Sequence, residues 1–407
     1  MTVSASPPKA PVAGAPPRLL TWVLIGNVSI GLLAMTACLS AMAGWGAEFG
    51  AGRAAVQATY GTFLITFALG QLVMGPISDR AGRRPVLLGG LALFVAASLG
   101  LAFAGSIETL ILGRAVQGAG ACATIVAARA LVQDVFEGPE RTRVLAFTGI
   151  AMGVTGPSGA VAGGYVQAAF GWPATFLLVA ALGAVLLAAT ARAVPPSGRA
   201  PGARLSFEGV FSGYARLLRL PEFMAYVLLA AGCTAAFYAF VGGVPTVLVD
   251  LGVPARDIGW FLFFCSGAFI LGNWLTSRLA RSLGDLRLMV LGNVATVAGG
   301  LAVLAVALGG NTAALVFVAP VLLMGLGHGL IQPPAIKGAT SISAGDAGAG
   351  AAFSGAVMQG GGALAGYALG LVPVLDQTSM ALTMLVPTLI AAVALLPLLW
   401  RRAAAAG

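Results

Sequence analysis

Gly75-Pro76-Ile77-Ser78-Asp79-Arg80-Ala81-Gly82-Arg83-Arg84-Pro85 is a short, charged turn set between two long apolar runs, 55–74 and 85–104. A hydrocarbon core of about 30 Å takes roughly 20 apolar residues as a helix, and both runs have that length. Working outward, apolar runs recur at 19–43, 108–132, 144–168, 172–194, 222–247, 259–277, 287–308, 311–335, 347–373 and 378–399, which makes twelve. The chain is 59% hydrophobic and 9% charged, with mean hydropathy +0.96. That composition cannot cover a water-facing surface. Backbone groups in lipid must pair internally, and the runs lack the polar–apolar alternation of barrel strands, so they read as helices. The expectation is an all-α membrane protein with twelve transmembrane helices.

The net charge of +9 is a topology signal and not a nucleic-acid footprint. With the N-terminus in the cytoplasm, that side carries seventeen lysines and arginines, and the far side only Arg53 and Arg256. Arg114, Arg129 and Lys337 fall inside spans. This bias follows the positive-inside rule and predicts both termini cytoplasmic, in a multi-pass cytoplasmic (inner) membrane protein. The first span is too long for a signal-peptide core and is expected to be retained. The four cysteines lie within spans without metal-ligand spacing, so no metal or disulfide framework is expected. Residues 1–18 read as a disordered cytoplasmic tail and 400–407 as a second tail. Residues 195–221, rich in Pro, Gly and Arg, read as a cytoplasmic linker between six-helix halves at 19–194 and 222–399. Within it, Arg216 and Arg219 with Leu217, Leu218 and Leu220 suit either a short helix on the membrane surface or simple orientation charge. A basic turn recurs after the eighth run, where Arg278 and Arg281 repeat the spacing of Arg80 and Arg83.

The Gly75–Arg84 stretch, with Phe67-Ala68-Leu69-Gly70-Gln71 before it, resembles the loop signature of the major facilitator superfamily. It is most similar to the bicyclomycin/chloramphenicol-resistance (Bcr/CflA-type) branch of drug:proton antiporters. Gly113-Arg114-Ala115-Val116-Gln117-Gly118 with Gly120, Ala128 to Asp134, and Gly272 to Arg281 extend the resemblance. It implies a major facilitator fold, a cavity lined by helices 1, 4, 7 and 10, and transport by alternating access. It also implies a gating role for Gly75, Asp79, Arg80, Gly82 and Arg83, with Asp134 a further partner. The residues support that role: Gly75 and Gly82 permit close packing and a tight turn, and Asp79 is an acid among arginines, able to clamp the cytoplasmic side shut. Thr155 to Gly164 is similar to the helix-5 antiporter motif, keeping Gly156 and a final glycine pair. Its proline is Pro157, and Ala160 stands where the motif has one; Gly156 and Pro157 are counted with the expected gating residues. Helix 1 departs further: Thr36-Ala37-Cys38-Leu39 replaces the branch's Thr-Asp-Met-Tyr, so the embedded aspartate is absent.

A charge at the depth of Arg114 costs about 2.5–3.5 kcal/mol on insertion scales, so it must face protein or water. Gln117 and Thr124 share its helical face, and Arg129 lies about 60° round. Arg114 reads either as a substrate or proton group or as a structural arginine bonded to carbonyls. His328 is the only histidine, flanked by glycines, with Gln332 at i+4 and Pro333-Pro334 expected to break the helix below it. Tyr226 and Phe237, with Cys233, Tyr238, Tyr60 and Gln359, offer aromatic and polar cavity chemistry or ordinary packing. The expected function is secondary active efflux of small amphipathic drugs or metabolites, coupled to protons. The alternative is a carrier of an anionic metabolite or antibiotic without carboxylate-based coupling, favoured by the basic set Arg114, Arg129, His328 and Lys337. No cofactor, catalytic centre or nucleic-acid partner is indicated, and no ATP-binding loop is present. The partners expected are a small-molecule substrate, the proton and the bilayer, with the chain acting as a monomer.

Overall fold

The computed structural model describes residues 17–195, 207–342 and 347–406. The tail at 1–16, the linker stretch 196–206, residues 343–346 and residue 407 lie outside the described residues. Among those described, the fold is all helix. In order these are α1 (Pro17–Ala37), α2 (Leu39–Glu48), α3 (Arg53–Ala81), α4 (Arg83–Ala102), α5 (Ile107–Val135), α6 (Gly138–Phe170) and α7 (Pro173–Ala193). There follow α8 (Phe207–Leu218), α9 (Pro221–Asp250), α10 (Ile258–Leu283), α11 (Asp285–Leu308), α12 (Ala314–Ile342), α13 (Ala347–Leu371) and α14 (Gln377–Ala406). Helices α1 and α2 form one apolar stretch broken at Cys38, which gives twelve membrane helices with α8 outside the count.

Eleven of these are long and apolar enough to cross a membrane by themselves; α13 is long enough but too glycine-rich. It needs less lipid-facing surface because it is packed along both α3 and α9. Leu93, Val185, Leu315 and Val393 stay exposed on the outside of the bundle, where the solvent is hydrocarbon.

Most helices overrun the apolar windows, so the basic turns are largely helical. The charged stretch at 75–85 remains helix through Ala81, and the chain turns at one residue, Gly82, with φ +94°. Its counterpart is Gly284, φ +77°, between α10 and α11. The paired hinges shift the internal repeat by four residues from the arginine register expected above. Asp285 stands where Arg83 does, one residue past its hinge.

The expected break at Pro333-Pro334 does not occur; α12 runs unbroken through both. Pro333 cannot donate to the carbonyl of Gly329 one turn earlier, but Thr276 Oγ1 of α10 donates to that oxygen at 3.1 Å. A neighbouring hydroxyl thus restores the missing bond, as lipid burial requires. Pro76 repeats the device. It frees the carbonyl of Leu72, which accepts from Tyr214 Oη of α8 at 3.0 Å. Burial raises the Tyr214 hydroxyl above its usual range and keeps it a donor. Helix α8 therefore does not simply float on the membrane: Tyr214 and Leu217 are buried against protein, while Arg216, Leu218 and Arg219 are exposed. Outside the spans, Asp376 caps α14 by accepting from Ser379 N at 2.8 Å, and that backbone bond holds its carboxyl below the usual range.

Candidate functional site

Three clusters hold most of the residues singled out above. The first is inside the amino-terminal six helices. Glycines position it: a Cβ at Gly118 would overlap Thr66 and the Phe63 carbonyl, and one at Gly120 would stand 2.7 Å from Phe94 N. Helix α5 therefore lies close against α3 and α4, and Arg114 is fully enclosed. Its Nη1 donates to Ala34 O at 3.0 Å and to Gln117 Oε1 at 2.6 Å; Nε reaches Thr59 O at 3.5 Å. Its Cζ sits 4.4 Å from the Phe63 ring centroid. Gln117 Nε2 passes the network to Ser98 Oγ at 2.8 Å. The second guanidinium nitrogen, Nη2, is buried with no hydrogen-bond partner among the described residues. Thr124 bonds Asn27 O at 3.1 Å. Arg129 differs: it is exposed, and its Nη2 lies 3.4 Å from Met152 Sδ of α6.

The second cluster lies in the carboxyl-terminal helices. His328 is buried, its ring centroid 4.9 Å from Phe269 and 6.3 Å from Phe237. Its Nε2 is 3.5 Å from Thr234 Oγ1. A cavity of about 20 Å³ adjoins it, lined by Cys233, Phe237, Cys265, Thr296 and Met324 among others, room for about one water. Phe237 and Gln332 are half-buried. Tyr226 packs its ring against Gly338. Lys337 leaves this basic set: it is exposed near the end of α12 and paired with Asp285 at 2.7 Å. The four cysteines are buried and free, and no group of three His, Cys, Asp or Glu suited to a metal occurs among the described residues.

The third cluster is the charged turn. Arg83 pairs with Asp79 and with Asp134 Oδ2, the latter at 2.9 Å, and donates to Ser78 Oγ at 3.2 Å. All four residues belong to the same six helices, so the cluster ties α3, α4 and α5 together and does not bridge the halves here. Arg80 is exposed. A Cβ at Gly75 would meet open space, so close packing does not account for that glycine. On the opposite half the arrangement recurs with the charges exchanged. An acid begins α11 (Asp285) and a base lies in the last third of α12 (Lys337), where a base begins α4 and an acid nearly ends α5.

Gly156 and Pro157 lie where α6 meets α1. Thr36 Oγ1 donates to Gly156 O at 2.5 Å, and a Cβ at Gly163 would overlap the Ala37 carbonyl at the α1–α2 break. The far ends of the two halves meet beyond this. Gly164 faces the Arg256 carbonyl, with an added Cβ only 2.8 Å away. Trp260 Nε1 donates to Tyr165 Oη at 3.3 Å, and Tyr165 Oη lies 3.4 Å from Asp257 Oδ1. On the other flank Gln57 Nε2 donates to Gly242 O at 3.0 Å, and Arg53 Nη1 to Pro373 O at 3.2 Å. Sequence reading missed Gln57 in this role. Its signal was a lone amide four residues past Arg53, which periodicity could not assign to a partner.

Comparison with known proteins gives a consistent result. The profile of the Major Facilitator Superfamily matches residues 23–367. An uncharacterized transporter of Rickettsia bellii is 28% identical over 331 residues, 79% of this chain and 81% of that protein. A chloramphenicol resistance protein of Pseudomonas aeruginosa is 30% identical over 280 residues, 67% of this chain and 64% of its own length. The crystal structure of a bacterial homologue of the human lysosomal transporter Spinster, in an inward-facing and unoccupied conformation, aligns at TM-score 0.68 and 15% identity. It covers 94% of this chain and 97% of that one.

Proposed function

Because the chain belongs to the Major Facilitator Superfamily of multi-pass membrane transporters, we propose that it exports small amphipathic compounds in exchange for protons. It is a carrier of small molecules and not an enzyme. Similarity to a chloramphenicol resistance protein supports drug-like cargo. The far-side seal is the observation that carries the alternating-access reading. Gly164 against Arg256, Gly259 against Val161 and Gln57 on Gly242 join the halves at the end opposite the charged turns. Arg129 stays accessible on the cytoplasmic side of Arg114. We read this as a carrier closed on the far side, whose α3–α13 seam also stays packed nearer the charged turns, where an added Cβ at Gly355 would overlap Gln71 Oε1. The proposal places both termini in the cytoplasm, the chain in the inner membrane as a monomer, and the division between six-helix halves at the linker 195–221.

In this reading Arg129, Phe237, Gln332 and Tyr226 meet cargo, Arg114, Gln117 and Thr124 hold the shape of the cavity wall, and His328 exchanges the proton. Asp79, Arg83 and Asp134, with Gly82 as hinge, keep one half rigid as it rocks. Transport in proteoliposomes under imposed pH gradients, with neutral, cationic and anionic compounds, tests it. Uphill export driven by an inward proton gradient is expected; indifference to the gradient refutes coupling. A second reading, carriage of an anion, is favoured by one observation: the enclosed Arg114 guanidinium pairs with no carboxylate among the described residues, and its Nη2 is unfilled. Selective transport of the anionic compounds would establish it.

A further inference from the structure

Helix α8 lies against the cytoplasmic end of the seam between α3 and α13, and it meets the two halves in different ways. Of its described side chains, Tyr214 and Leu217 are buried. Toward the carboxyl-terminal half the contact is apolar packing. Leu217 shares a buried cluster with Phe223 and Val227 of α9 and Ala339 of α12. The Tyr214 ring centroid lies 5.9 Å from that of Phe353 on α13, and Phe353 lies 5.9 Å from Phe223. A Cβ added at Gly213 would stand 3.8 Å from Ala349. Toward the amino-terminal half the contact is polar: Tyr214 Oη donates to the Leu72 carbonyl of α3 at 3.0 Å.

That carbonyl is available because Pro76, one turn on, has no N–H to offer it. Next to it the seam is tight. An added Cβ at Gly355 of α13 would overlap Oε1 of Gln71, which is buried. Tyr214 thus grips α3 at the level where α3 and α13 are pressed together. A carbonyl left unpaired in an apolar seam is costly, whereas at a parted cytoplasmic end water can take the place of the hydroxyl. The bond therefore favours the closed seam, and exchanging it for water costs little once the seam has opened. A contact with both properties can be made and broken in each cycle.

We propose that α8 is a latch on the cytoplasmic end of the α3–α13 seam. Tyr214, anchored on the carboxyl-terminal half, holds the amino-terminal half by the Leu72 carbonyl, and its release lets the seam part for cargo. The latch presupposes the alternating-access reading above and adds to it that the linker helix sets how often the cytoplasmic side opens.

The test uses the full chain in detergent, with Gln71→Cys as a reporter inside the seam and a water-soluble maleimide as the label. The four native cysteines are buried, and the chain without the reporter gives the background. Tyr214→Phe keeps the ring against Phe353 and removes the hydroxyl. It should raise the labelling rate of Gln71→Cys about fivefold, the scale of one net hydrogen bond, because labelling follows the open population. A second reporter, Gln57→Cys in the far-side seal, should not label faster, since halves that part at the cytoplasmic end stay joined there. Pro76→Ala returns an N–H to the Leu72 carbonyl, and in that background Tyr214→Phe should change labelling less than about twofold, because no buried acceptor is orphaned. If Gln71→Cys fails to fold, Ser354→Cys, buried beside Gly355, serves as the reporter. Unchanged labelling on Tyr214→Phe overturns the latch. Equal acceleration at both reporters means general loosening and also overturns it. A full effect in the Pro76→Ala background means that the hydroxyl works through another partner and overturns the assignment to Leu72. Neither cargo nor a pH gradient enters this measurement, so a negative result leaves the export reading to the proteoliposome test.

Discussion

Arg114 shows how a charge is tolerated inside a membrane helix. Carbonyls of Ala34 and Thr59, the Gln117 amide and the face of Phe63 surround it. Planar donors fixed in a fork suit this set, and a lysine cannot reproduce it. Arg114→Lys should therefore lower stability by about 2–4 kcal/mol, since buried acceptors lose their partners. Thermal unfolding in detergent would register this. A variant as stable as its parent would mean that the network is incidental. His328 is the other decisive residue. Replacement by Gln keeps hydrogen bonding toward Thr234 and removes titration. His328→Gln should still bind cargo but lose the dependence of uphill transport on the pH gradient. If the gradient drives it as well as the parent, the proton travels elsewhere, and Asp79 and Asp134 become the groups to examine. The special status of both residues was legible in the chain, because an arginine and a lone histidine in apolar runs have few bland explanations. Arg114's partners were not legible, because three of them are backbone or aromatic groups on other helices.

At the scale of elements, glycines decide how closely helices approach, and their roles differ sharply. Gly163 sits against the Ala37 carbonyl at the break between α1 and α2, whereas Gly75 faces open space. Gly163→Val should abolish folded yield, because no flexible side chain can yield to the added atoms. Gly75→Ala should leave yield and transport close to the parent's, and a large loss there would point to a closed-state contact absent from this conformation. Proline obeys a similar rule. The chain suggested that Pro333-Pro334 would break α12, since proline removes a backbone bond. The neighbouring Thr276 hydroxyl supplies it, and the helix continues. The same logic links Pro76 to Tyr214, which joins the charged turn to the linker helix. Such compensation comes from a residue more than fifty or a hundred positions away, so local rules could not supply it.

For the whole molecule the issue is which end is closed. The far-side contacts join halves that must separate if cargo is to leave. Tyr165→Cys with Asp257→Cys, bridged by a short bifunctional thiol reagent that spans the gap left by the tyrosine ring, should arrest transport, and reductive cleavage of the bridge should restore it. The four native cysteines are buried and would compete little for the reagent. Transport that persists in the fully cross-linked protein would mean that this seal does not open during the cycle.

Apolar runs of bilayer length and the one-sided placement of arginine determined, from the sequence by itself, a helical membrane protein and a proposed orientation. Both stem from transfer free energies that act on each segment separately. The motif residues pointed to the superfamily by resemblance, because Gly75 to Arg84 match its loop signature. Tertiary structure alone decided that Arg83 draws in two acids, that Lys337 turns away to Asp285, that the repeat pivots on Gly82 and Gly284, and that the far side is shut. Those outcomes depend on which helix faces which. Helices with nearly uniform hydrophobicity carry little periodic signal to say so, and close approach at glycines and shared hydrogen bonds sets the arrangement.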